Sequence, residues 1–226
     1  MKKYSALLLA AFLATACGNQ PAQQAPTTAD ASGISTTIRA NAIDTPRAND
    51  NEVTATIMAR RSIRRYKDQP VEAEKLQKIL ECGINAPTGM YKQSWQIRVV
   101  RNPEFLAAID EGFTAQRQRE GKKGHARAFY GAPCLIFIAY DKNYDLSQVD
   151  CGLLGENMML TAQSLGLGTC CLGQVTRFMM SEDAKELLPR LEIPETHELL
   201  YAIAVGYADE SPAAKPRDMG RVKFID

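Results

Sequence analysis

The chain has only two histidines, His125 and His197, and they stand far apart. No Cys or His pair has zinc-ligand spacing, so nothing in the sequence supports a structural metal site. Its six cysteines build no disulfide framework. One, Cys17, ends an apolar leader; the other five, Cys82, Cys134, Cys151, Cys170 and Cys171, are odd in number and irregularly spaced. Neither sign of charge is in excess: 27 Lys and Arg face 26 Asp and Glu, a formal net charge of +1. That balance gives no electrostatic case for a nucleic acid partner. Long hydrophobic runs are also missing. The run from Ala6 to Ala16 falls short of the about 20 apolar residues a spanning helix needs. No internal repeat is evident.

What is present begins with Lys2 and Lys3, then that apolar run, then Cys17 at once. A charged start, a short apolar core and small residues before a cut describe an export signal over residues 1–16. Ala14-Thr15-Ala16-Cys17 resembles the bacterial lipoprotein box, in which the cysteine is lipidated; Ala14 stands where a large aliphatic residue is usual. An ordinary cleaved signal with an incidental cysteine is the alternative. The lipid reading implies a protein exported and anchored to a bacterial membrane through Cys17, on its periplasmic or surface face. Residues 18–50 are rich in Ala, Thr, Gln, Asn and Pro and poor in large apolar groups. They read as a disordered tether, spanning roughly 30 Å on average. Residues 51–226 have the length of one domain with a real core.

Arg60, Arg61, Ser62, Arg64 and Arg65 crowd one short stretch behind Val53, Ile57 and Met58, which are spaced like one face of a helix. Guanidinium forks fit phosphate bidentately, and serine adds a donor. Lys215 and Arg217 form a second basic pair near the C-terminus. Two such groups from opposite ends can converge on one phosphorylated cofactor; each is otherwise a solvated basic surface.

Between them the pattern alternates. Glu72–Ile84 puts Leu76, Ile79, Leu80 and Ile84 on one helical face, and Ala86-Pro87-Thr88-Gly89 breaks it. Trp95–Val100 alternates as a half-covered strand, and Pro103 opens a helix bearing Phe105, Leu106, Ile109 and Phe113. Gln116–Lys123, before Gly124, reads as a mobile charged segment. Cys134–Tyr140 reads as a central strand with Cys134 buried, and Cys82 also reads as a buried thiol. Ser147–Leu165 is a helix apolar on nearly every side, which a subunit interface would suit. Ser181 reads as the cap of a short helix through Leu188, and Leu199–Val205 as a last buried strand. The class is α+β or α/β, one sheet flanked by helices.

These segments together resemble the nitroreductase family of FMN-dependent oxidoreductases. Arg60-Arg61-Ser62-Ile63-Arg64 looks like its first motif, and Ala86 to Trp95 like its second. Asn157 with Gly166 to Gly173 looks like the third, and Val205-Gly206-Tyr207 with Lys215-Pro216-Arg217 like the last. The resemblance implies an α+β fold: a three-layer α/β/α sandwich with a mixed, mostly antiparallel sheet, working as a homodimer. It implies that Arg60, Arg61, Ser62, Arg64, Lys215 and Arg217 hold the FMN phosphate. Pro87, Thr88, Gly89 and Tyr91 would meet the flavin of the neighbouring subunit. Cys170, Cys171, Leu172 and Gly173, in a glycine-rich stretch from Thr169, would border the ring. Tyr91 and Ser94 depart from the Asn and Pro usual there, and Cys171 from a Trp. The implied activity is ping-pong transfer of hydride or electrons from a donor such as NAD(P)H to a small acceptor, a nitroaromatic or a quinone. No side chain is implied as catalytic acid or base. A flavin- or ligand-binding surface lipoprotein without turnover is the alternative. An export signal and a nicotinamide donor point to different compartments.

Overall fold

Cys134–Asp141 forms strand β2, whose first six residues are all buried, as an unbroken apolar run demands of a strand covered on both faces. The computed structural model of the chain describes residues 51–122 and 127–226. Strand β1 (Trp95–Val100) pairs with one edge of β2. Strand β4 (His197–Gly206) pairs with the other edge, and β3 (Gly168–Leu172) lies beyond β4. All three ladders are antiparallel. The parallel component of the expected mixed sheet is, among the described residues, one bridge between Ser62 and Thr169.

Side chains along β2 alternate between two cores. Leu135, Phe137 and Ala139 meet Phe105, Ile109 and Phe113 of α3 (Pro103–Arg119) and Val175 and Phe178 of α5 (Gln174–Met179). The Phe113 and Phe178 rings pack edge to face, 5.8 Å apart. Cys134, Ile136 and Ile138 meet Leu76 and Ile79 of α2 (Ala73–Ile84) and Leu154 and Met158 of α4 (Ser147–Ser164). The result is a three-layer α/β/α sandwich. Helices α2 and α4 close tightly because position 83 is glycine; a Cβ there would fall 2.6 Å from Met158. Helix α1 (Glu52–Ala59) opens on a capping box, Asn51 accepting from Thr54 N–H while the Thr54 hydroxyl accepts from Asn51 N–H. No helix among the described residues is long and apolar enough to cross a membrane.

Several expectations change. The stretch from Thr169, read as a glycine-rich approach, is the edge strand β3, because β4 supplies a full ladder for it. Ser181 stands at the N-cap of a short 3-10 turn, Glu182–Ala184, but gives it no side-chain bond, its hydroxyl donating to the Phe178 carbonyl; no helix runs on to Leu188, where a second 3-10 turn, Leu188–Leu191, begins with Pro189 at its second residue. Val53, Ile57, Met58 and Ile84 are exposed rather than packed inward, and Cys82 is only half-buried. The charged segment at Gln116 is anchored. Helix α3 continues through Arg119, the Gln116 amide donates to Asp183 at 2.8 Å, and Arg119 pairs with Asp183. Lys123, Gly124 and His125 lie outside the described residues, as do the leader, Cys17 and the tether.

Candidate functional site

The two basic groups meet because the chain beyond β4 runs back along the segment after α1. Arg60 leaves the helix in an extended conformation, and Ile63 N–H donates to the Thr169 carbonyl at 2.9 Å. Gly168 lets this segment lie close, since a Cβ there would fall 2.7 Å from Ile63. Lys67 N–H then donates to the Tyr207 carbonyl and Asp209 N–H to the Arg65 carbonyl, each at 2.9 Å. Arg65 returns a bond to the Asp209 carboxylate at 3.1 Å, and Glu210 accepts from Arg64 N–H. From this seam the chain runs on to Lys215 and Arg217.

A cavity of about 450 Å³ opens where they meet. Arg60, Arg61, Ser62, Arg64, Lys215 and Arg217 line it, with Glu156 and the apolar Ile57, Met58 and Pro212–Ala214. The lining cations are not equivalent. Arg61 donates to the carbonyls of Met58 and Arg60, closing the end of α1. Arg64 reaches the Ser62 carbonyl at 3.3 Å, and Arg60 Nε lies 3.7 Å from Glu156 Oε1. Among the described residues Lys215 and Arg217 have neither a hydrogen bond nor an ion pair, so their donors are free for an anion. Five cations against one carboxylate, with a serine hydroxyl between them, suit a phosphate group on a partly apolar ligand.

The turn at Pro87–Ser94 does not line this cavity. Met90, Tyr91 and Gln93 all have positive φ, 50°, 60° and 46°, and Met90 and Tyr91 are largely exposed. What holds so strained a turn is Asp150, 3% exposed, in the first turn of α4. Its carboxylate accepts from the Thr88 hydroxyl at 2.9 Å, from Gly89 N–H at 3.1 Å and from the Ser94 hydroxyl at 3.4 Å. The start of a helix also favours a negative charge. The Thr88 hydroxyl thus donates within the protein, to Asp150. Ser94, standing where proline is usual, is a member of the same network.

Residues 57–207 match the nitroreductase family. The chain belongs to the nitroreductase family. A relative from Archaeoglobus fulgidus, whose name pairs NADH dehydrogenase with NAD(P)H nitroreductase, is 32% identical over 156 residues, covering 67% of this chain and 82% of that protein. The NADPH-flavin oxidoreductase of Vibrio harveyi is 26% identical over 182 residues, 74% of this chain and 70% of its own. The crystal structure of an FMN-bound nitroreductase from Bacteroides fragilis superposes with a TM-score of 0.69 at 30% identity, covering 78% of this chain and all of the other.

The remaining candidates lie on β3 and just after it. In this nitroreductase Cys170 is buried and Cys171 exposed, on opposite faces of the strand, and both thiols are free. Burial pushes both thiols up; for Cys171, Cys170 and Glu156 add to the rise and Arg60 opposes it. Leu172 is buried in the core. Gly173 opens α5, and the space above its Cα is clear, so a ligand can approach the backbone there. Asn157, quoted with the third motif, donates to the Cys82 carbonyl at 3.2 Å and ties α4 to α2. Sequence reasoning missed Asp150 and Glu156. They are the two acids of α4, and their place in a helix otherwise without charge was the one available signal.

Proposed function

We infer that this chain is an FMN-dependent oxidoreductase that draws on NAD(P)H and reduces a small organic acceptor, a nitroaromatic or a quinone. The observation that carries the reading is the cavity in which the unpartnered Lys215 and Arg217 face Arg60, Ser62 and Arg64. The family assignment, the flavin and NADPH in the relative's name and the FMN in the structural neighbour support it. FMN, when bound, supplies the ring that accepts and passes on hydride or electrons. The protein's own residues do the rest. The two basic groups neutralise the phosphate and fix the cofactor's register. Ile57, Met58 and Pro212–Ala214 offer apolar wall and exclude water. The open backbone at Gly173 leaves N–H donors accessible.

Two copies complete the reading. Exposed Val53, Ile57 and Met58 on α1 and Val149 and Leu153 on α4 would be covered in a homodimer. The purified protein is expected to be yellow, to sediment as two copies and to oxidise NADPH only when a quinone or nitroaromatic is present. A colourless preparation, or a yellow one without turnover, would favour a binding protein over an enzyme.

We also propose that Cys17 carries lipid and holds the domain at a membrane, outside the cytoplasm. The support is the leader of residues 1–16 followed at once by that cysteine. Cys17→Ser is expected to move the protein from the membrane fraction to the soluble one; retention in membranes would contradict it. A tether of roughly 30 Å would let the domain meet membrane-bound redox partners besides nicotinamide.

A further inference from the structure

Glu156 is the one acid among the lining residues of the cavity, against five cations. Its backbone is fixed. A Cβ on the preceding Gly155 would fall 1.9 Å from Tyr201 Oη, and the Tyr201 hydroxyl donates to the Cys151 carbonyl, so α4 is pressed onto β4 at this point. Its side chain, 49% exposed, pairs with Arg60 at 3.7 Å. Among the described residues Arg60 is the one lining cation whose side chain has a carboxylate partner. An ion pair this exposed adds little to stability. Its position inside a cationic cavity is what needs explaining.

We propose that Glu156 is the resident counter-ion of the cavity and sets its selectivity among anions, admitting a single phosphate and penalising a diphosphate. This rests on the reading that the cavity takes a phosphate group. Repulsion from a fixed carboxylate grows with the charge of the ligand, so it costs a diphosphate more than a monophosphate and a neutral ligand nothing. The distinction is useful where FMN is to be held and the diphosphate of a nicotinamide dinucleotide is not to displace it.

The test uses full-length protein stripped of flavin, with Glu156→Gln, which keeps the shape and removes the charge. Affinities for FMN and riboflavin are titrated directly; inorganic phosphate and pyrophosphate are measured as competitors of FMN. The variant is expected to bind FMN about three- to tenfold tighter, to gain more for pyrophosphate than for phosphate, and to bind riboflavin unchanged. Unchanged or weaker FMN binding, or equal gains for the two inorganic anions, would overturn the proposal. Arg217→Ala measured in parallel separates the two claims. If it weakens FMN binding while Glu156→Gln does not tighten it, only the counter-ion role fails. If neither variant changes FMN affinity, the phosphate cavity fails with it.

Discussion

Replacing Lys215 and Arg217 together by alanine is expected to weaken FMN binding by about a hundredfold or more and to leave riboflavin binding unchanged. Each residue offers a charge-assisted bond to the phosphate, contributing about 1.5–3 kcal/mol where water is excluded. Losing two costs about 3 kcal/mol or more, just over two orders of magnitude in affinity. The pair is a clean target because neither side chain has an internal partner among the described residues, so their removal disturbs no fold contact. The other lining cations are less clean. Arg61 closes α1, and Arg60→Ala would also strip Glu156 of its partner. Fluorescence titration of the flavin-free protein measures the effect. Equal FMN affinity in variant and parent would remove these residues from the site.

Asp150→Ala should destabilise the domain by about 3 kcal/mol. Its carboxylate is the shared acceptor for the Thr88 hydroxyl, Gly89 N–H and the Ser94 hydroxyl. Alanine leaves those donors part-buried without that acceptor, and each such loss costs about 1–3 kcal/mol before relaxation and water entry offset part of it. For a domain of this size the expected fall in Tm is roughly 6–12 °C. The turn bearing Met90 and Tyr91, strained at three positive-φ positions, would lose its anchor. Asp150→Asn keeps an acceptor for Gly89 N–H, and the two hydroxyls can rotate to accept from its amide, so less than half the loss is expected. Thermal unfolding at one fixed protein concentration compares the three. An unchanged Tm in Asp150→Ala would show that the network does not hold the turn.

The parts of the molecule written in local pattern were the legible ones. The all-apolar Cys134–Tyr140 read as a central strand, and Pro103 as the opening of α3, as helix-start chemistry favours. The basic cavity was legible for another reason. Arginine, lysine and serine in two tight groups carry their chemistry in their residue types, and only the folding of one group onto the other was needed. Strand β3 was not legible, because five residues beginning with glycine have no period of their own; their conformation comes from β4 and from Ile63. Asp150 was invisible for a similar reason. Its partner Thr88 is 62 residues away, and an acid in the first turn of a helix ordinarily faces solvent. The bond between Thr88 and Asp150 was not legible, since nothing local tells a hydroxyl facing a ligand from one facing a buried carboxylate. Nothing local places Glu156 either; its position beside Arg60 in the cavity comes from the fold.

The claim at the centre of this account is that the cavity between residues 60–64 and 212–217 holds FMN by its phosphate. The most direct measurement titrates the flavin-free, full-length protein with FMN and with riboflavin, which differ only in that group. FMN is expected to bind at least about a hundredfold more tightly. Equal affinity for the two flavins would contradict the account.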